Sequence, residues 1–129
     1  MTNIIVAFSK RENAVNIRNI LTRSGVTVSA VCLTGSKVLQ HTEMWNQGIV
    51  ICGARLQDMP YTELKELLPD GFEILLIAPS DRWIDSLPEG IVGLPSPLKA
   101  YDLLNTVEMM SQAQESRRRR RRDNVRKSS

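Results

Sequence analysis

The chain has 129 residues, 42% of them apolar and 24% charged, with two cysteines and one histidine. That length suits one domain with one substantial core. The longest apolar runs, such as residues 74–79, have the length of strands, which excludes a bilayer-spanning class. The formal net charge of +3 hides two opposite parts: residues 1–114 hold nine Lys/Arg against twelve Asp/Glu, a net of −3, and residues 115–129 hold eight against two, a net of +6.

The first apolar run begins at once, with no basic segment, long apolar stretch or small-residue cleavage site before it. This predicts no secretory signal and a cytoplasmic chain. In that compartment Cys32 and Cys52, both inside apolar runs and without CxxC spacing, are expected to be buried free thiols rather than zinc ligands.

Residues 3–8 (NIIVAF) read as a buried strand. Residues 11–24 place Val15, Ile17, Ile20 and Leu21 at helical spacing and stop before Gly25, as a helix commonly does. Residues 26–33 (VTVSAVCL) are dense in β-branched side chains and predict a second strand. A helix over 36–46 follows, with a thin apolar face of Val38, Leu39, Met44 and Trp45. Residues 48–52 predict a third strand, 53–60 a loop, and 61–68 a helix ended by Pro69-Asp70-Gly71. Residues 72–78 predict a fourth strand. A helix of one or two turns over 80–87 is expected to be N-capped by Ser80, with Asp81 in its first turn. A fifth strand over 91–94 precedes a last helix over 97–112, with Tyr101, Leu104 and Val107 on one stripe and Leu103 and Met110 flanking it.

Five strand–helix pairs in alternation imply an α/β fold with helices on both faces of a parallel sheet. The size fits a flavodoxin-like five-stranded order, 2-1-3-4-5. The domain is expected to span residues 1–114, with 115–129 as an Arg-rich tail or linker.

In such a sheet, function sits beyond the C-terminal strand ends. Those ends carry Ser9, Lys10 and Arg11 after the first strand and Gly53, Ala54 and Arg55 after the third. Ser80 and Asp81 follow the fourth, and Pro95-Ser96-Pro97 the fifth. This layout resembles a two-component receiver domain over about residues 3–114. The resemblance implies an acidic pair after strand one that holds Mg²⁺, an aspartate nucleophile ending strand three, a hydroxyl after strand four and a lysine after strand five. Here the acidic pair falls on Phe8/Ser9 or Ser9/Lys10, the nucleophile on Gly53 (or Cys52 with a one-residue slip), and the lysine on Ser96. Only the hydroxyl has a counterpart, in Ser80. Asp58 is the nearest acid after strand three and lies five residues beyond Gly53. The pattern predicts a degenerate, non-phosphorylated receiver that holds no metal or cofactor and is not an enzyme.

Other chemistry at these positions is weakly supported. Cys52 near Arg55 suggests an activated thiolate, against which stands an ordinary packed cysteine. Ser9–Lys10 suggests a serine–lysine dyad, but adjacent side chains need not converge. His41 reads as an exposed residue. Neither GxGxxG nor GxxxxGK is present. A small-ligand sensor built on Ser9, Lys10, Cys52, Arg55 and Ser80 is a further reading.

Arg117, Arg118, Arg119, Arg120, Arg121 and Arg122 form an uninterrupted run in a segment without aromatic residues. This segment reads as a solvated arm, a linker or the basic start of a longer helix. Arginines pair with phosphates bidentately, so the run is a candidate RNA contact that positions rather than specifies. A receiver-like domain that lacks the acidic pocket and leads into such a segment resembles the N-terminal part of an ANTAR regulator of the AmiR–NasT family. The matching stretches are IIVAFSKREN, GARLQDMP, LPSPL and SQAQESRRRRRRDNVRKSS. That resemblance implies a regulator of transcription antitermination. It also implies homodimerisation through the face of strand four, the short helix, strand five and the last helix. Trp83, Ile84 and Tyr101 are the candidate interface residues there, with a regulatory protein as a further partner; Met109 lies on the same face but reads, with Met110, as the end of the core stripe.

Overall fold

Strand β1 (Asn3–Ala7) forms the spine of the molecule and pairs in parallel with β2 (Ala30–Cys32) on one side and β3 (Gly48–Cys52) on the other. Strands β4 (Phe72–Ala78) and β5 (Ile91–Pro95) continue the sheet, giving the order β2-β1-β3-β4-β5. Helices α1 (Arg11–Arg23), α2 (Gly35–Thr42) and α3 (Tyr61–Leu67), a 3-10 helix (Asp81–Ser86) and α4 (Ala100–Lys127) alternate with the strands. The computed structural model describes residues 2–127, excluding the side chains of residues 118 and 120–127. The five-stranded flavodoxin-like sheet is the one that the alternation predicts.

The central strands are apolar throughout because the sheet is covered on both faces. Alternate residues of one strand point to opposite sides. Ile5, Ala7, Val50, Cys52, Ile74 and Leu76 therefore pack with Val38 of α2 and with Tyr61 and Leu64 of α3. Ile4, Val6, Phe8, Ile49, Ile51 and Leu75 pack with α1 and α4 on the other face.

Strand β2 departs from expectation. The predicted strand over 26–33 shrinks to three residues. Val26 and Val28 are half-buried against the α1/α4 face, so their β-branched character serves packing rather than a ladder. The Val26 N–H donates to Leu21 O in the turn that closes α1.

Helix α2 is shorter than predicted, but side chains cap its N-terminus. Thr34 accepts from the Lys37 N–H at 3.1 Å through its side chain and from the Val38 N–H through its carbonyl. Asp58, reaching from the β3–α3 loop, takes the Gly35 N–H at 2.7 Å and the Ser36 N–H at 3.1 Å. Three of the amides left open by helix geometry, those of Gly35, Ser36 and Lys37, thus have side-chain acceptors, and Val38 makes the first intrahelical bond. In the last turn of α2, His41 stacks on Trp45 beyond the helix end, with ring centroids 5.6 Å apart. The expectation that His41 is exposed is therefore corrected: it is half-buried, and its Nδ1 is buried without a hydrogen bond.

The short helix after β4 is of the 3-10 kind, and Ser80 makes no capping hydrogen bond to it, contrary to the sequence expectation. Helix α4 runs 28 residues, from Ala100 through the arginine run, rather than stopping near residue 112. Its buried stripe is Leu103, Val107, Met110 and Gln114, one turn-phase away from the predicted Tyr101 stripe. Tyr101 is 74% exposed, and Met109 also faces solvent. Gln114 carries a polar group into the stripe: its Nε2 donates to Gly48 O at 2.9 Å and to Glu73 Oε1 at 3.2 Å. Arg117 also pairs with Glu73. The first arginine is thereby tied to β4 while the helix continues. Among the described residues no helix is long and apolar enough to cross a membrane.

Candidate functional site at the strand ends

The C-terminal ends of β1, β3, β4 and β5 open into a crevice of about 530 Å³ between α1 and the connection leading to α4. Phe8, Ile17, Ile20, Ile77 and Leu98 line its apolar part. Ser9, Asn13, Asn16, Arg55 and Ser96 supply its polar part. Of the residues singled out in the sequence, Ser9, Gly53, Arg55 and Ser96 are brought together here, whereas Lys10, Cys52 and Ser80 are not among the lining groups.

Strand β1 delivers Phe8 to the floor. Its ring lies against Gly53, where an added Cβ would sit 3.1 Å from Phe8 Cδ1. The position after β3 is thus backed by an aromatic ring. A hard divalent cation needs several anionic oxygens. None of Phe8, Ser9, Gly53 and Ser96 provides a carboxylate, and among the described residues no Asp or Glu lines the crevice. Among the described residues no cluster of three His, Cys, Asp or Glu side chains is placed to hold a metal. The Mg²⁺ site implied by the receiver resemblance therefore does not fit these residues.

Arg55 is held by a well-defined loop. It bridges to Pro60 in antiparallel fashion, the Leu56 N–H donates to Met59 O at 2.8 Å, and the Tyr61 N–H donates to Ala54 O at 3.0 Å. Gln57 ties the loop to both neighbouring connections, through its N–H to Leu33 O and its side chain to Ser9 O at 3.0 Å. Asp58 points away from the crevice, into the cap of α2. Desolvation pushes its carboxyl up, but hydrogen bonds from Gly35, Ser36 and its own backbone outweigh this and hold it below the usual carboxylate range. The nearest acid to the vacant nucleophile position is thus a structural cap.

Burial alone pushes the Cys52 thiol up to about 12, which opposes a thiolate at that position. Burial also raises the Cys32 thiol, against a smaller opposing effect of Lys37. Both cysteines are free and buried, as their apolar setting predicts.

The candidate interface residues occupy different environments. Trp83 is 38% exposed and tilts toward Tyr61, with ring centroids 6.5 Å apart. Ile84 turns inward beside Gly93, where a Cβ would meet its Cδ1 at 3.0 Å. Tyr101 stands on the outer side of α4, and Val92 of β5 is exposed at the sheet edge. Of the six arginines proposed for nucleic-acid contact, Arg117 and Arg119 are exposed. The side chains of Arg118, Arg120, Arg121 and Arg122 lie outside the described residues. Asn13 and Asn16 escaped the sequence reading because they come from a helix flank, where polar residues ordinarily only face water.

The sheet order and strand-end crevice define a receiver-like fold, and solved structures bear this out. The signal receiver domain of an HD domain-containing protein from Pseudomonas fluorescens Pf-5 superposes with a TM-score of 0.78 at 18% identity, covering 92% of this chain and 93% of that one. A CheY-like response regulator receiver domain protein from Methanospirillum hungatei JF-1 gives 0.75 at 20% identity, covering 91% and 98%. The receiver domain of a signal transduction histidine kinase from Syntrophus aciditrophicus gives 0.71 at 17%, covering 88% and 92%. At these identities the likeness is one of fold. No family model and no curated protein matches the chain.

Proposed function

We propose that the chain is a non-catalytic, receiver-like regulatory and dimerisation module of a cytoplasmic response regulator, whose output passes along α4. The observation that carries this reading is the crevice itself: the positions that serve phosphoryl transfer in a receiver hold Phe8, Ser9, Gly53 and Ser96, with no carboxylate among the lining groups. Phosphoryl transfer to aspartate needs a carboxylate nucleophile and a metal to neutralise the charge on the transferring group. Without either, the fold remains a scaffold that presents surfaces. Antitermination control, suggested by the sequence resemblance to ANTAR regulators, is the output we assign to it.

The test is phosphorylation by acetyl phosphate with Mg²⁺, read by intact-protein mass. The expected result is no acid-labile adduct under conditions that fully label a working receiver. A phosphoryl adduct on any Asp of this chain would overturn the reading. A second reading, nucleic-acid binding by the arginine-rich segment, is favoured by the segregation of charge, −3 against +6. Deleting residues 115–129 separates the two, since only the second reading has RNA binding vanish while the dimer persists.

A further inference from the structure

We propose that the strand-end crevice binds a small organic carboxylate with an apolar body, which serves as the module's effector where a receiver would use a phosphoryl group. This inference rests on the non-phosphorylating reading of the crevice and gives that site an occupant.

The volume of about 530 Å³ is that of a small-molecule site. Its floor is carbon: Phe8 and Ile17 are each only 7% exposed, and Ile20, Ile77 and Leu98 are half-buried around them. A bare inorganic anion would leave that floor wet, whereas a ligand with a hydrocarbon or ring body covers it. The polar groups gather at the rim. Among the described residues, the side chains of Ser9, Asn13, Asn16, Arg55 and Ser96 have no hydrogen-bond or ion-pair partner. Ser9 is engaged only through its carbonyl, by Gln57.

Charge decides the sign of the ligand. Among the described residues, Arg55 is the one charged residue lining the crevice, and the bridge to Pro60 holds its backbone in place. A guanidinium matches a carboxylate bidentately, and serine hydroxyls and asparagine amides add further donors. Asn13 and Asn16 belong to α1, whereas Ser96 and Leu98 belong to the connection that starts α4. A ligand held between them would couple occupancy to the placement of α4. A ligand acts only through such a difference between states.

The probe is naphthylacetate, with neutral naphthylacetamide as control, titrated into the isotope-labelled 129-residue chain. The readouts are the side-chain amide resonances of Asn13 and Asn16 and the backbone amide of Gly53. The expected result is saturable movement of all three with naphthylacetate, at a Kd of about 1 mM or tighter. Arg55→Gln, a change at an exposed residue, is expected to weaken naphthylacetate by about tenfold or more while leaving the weaker naphthylacetamide binding unchanged. Asn16→Trp, also at an exposed position, fills the crevice and is expected to abolish both. Unmoved resonances at about 10 mM probe, or equal binding of acid and amide that ignores Arg55→Gln, would overturn the proposal. Labelling by acetyl phosphate would instead sink the non-phosphorylating reading, so the two failures are distinguishable.

Discussion

Asp58, the nearest acid after strand three in the sequence, holds the fold together. Its carboxylate accepts from the first two amides of α2 and from the Ser36 hydroxyl at 2.8 Å. Negative charge is favoured at that end of a helix. Asp58→Ala is therefore expected to destabilise the protein by roughly 1 kcal/mol at neutral pH, the usual cost of losing such a cap. The pH dependence follows from the direction of the shift. A carboxyl held below its ordinary value of 3.8 contributes stability above that value and loses it as pH falls through the lower, folded value. Chemical denaturation of wild type and variant should thus differ at neutral pH and converge in acid; a gap that persists in acid would remove the charge from the account. Gly71 has an equally specific role: at φ +98°, a Cβ there would lie 2.5 Å from Asn46 O, a clash no side chain tolerates.

At the level of elements, the exposed and buried sides of α4 make opposite predictions. Leu103 is fully buried against β1 and β3 neighbours, and Leu103→Ala is expected to cost about 2–5 kcal/mol. Tyr101, two residues earlier, is largely in solvent, and Tyr101→Ala should stay within about 0.5 kcal/mol by urea unfolding of the monomer. The reverse ranking would restore the stripe that the sequence suggested. That stripe was misjudged because Tyr101, Leu104 and Val107 and Leu103, Val107 and Met110 both satisfy helical spacing. Only the docking angle on the sheet chooses between them. The strands β1, β3 and β4 were legible because burial on both faces leaves a continuous apolar run. The start of β2 was not, since Val26 and Val28 look the same whether they pack in a ladder or over a helix. The extension of α4 past residue 112 was legible only as one of three readings, the basic start of a longer helix, because arginines carry no apolar period; the ties of Gln114 and Arg117 to the sheet hold its first part.

On the scale of the whole molecule, fold and site were legible to different depths. The strand-end rule located Ser9, Gly53, Arg55 and Ser96, because topology fixes where strands end. It said nothing of Asn13, Asn16 or Leu98, whose approach depends on how α1 and the start of α4 sit on the sheet. Partner surfaces follow the same division. The β5 edge has a strand on one side only, and exposed Val92 and Trp83 lie close to it along the chain. Self-association through this face is expected to give a dimer by light scattering. Trp83→Ala should shift it toward monomer at equal concentration, as loss of an aromatic interface anchor does. An unchanged dimer would place the interface elsewhere.

The buried amide of Gln114 has a consequence for angular phase. An apolar residue there would pack beside Leu103, Val107 and Met110 but make no directional bond to the sheet. A hydrogen bond to the Gly48 carbonyl accepts one rotation and one axial offset. Everything C-terminal to residue 114 along the helix inherits that setting, as a key cut fixes what turns with it. One residue inserted between Gln114 and Arg117 would swing the arginine-rich segment by about 100° and part Arg117 from Glu73, whereas seven would return it to within about 20°. The sheet thus sets the rotation and offset of α4 at Gln114 and Arg117.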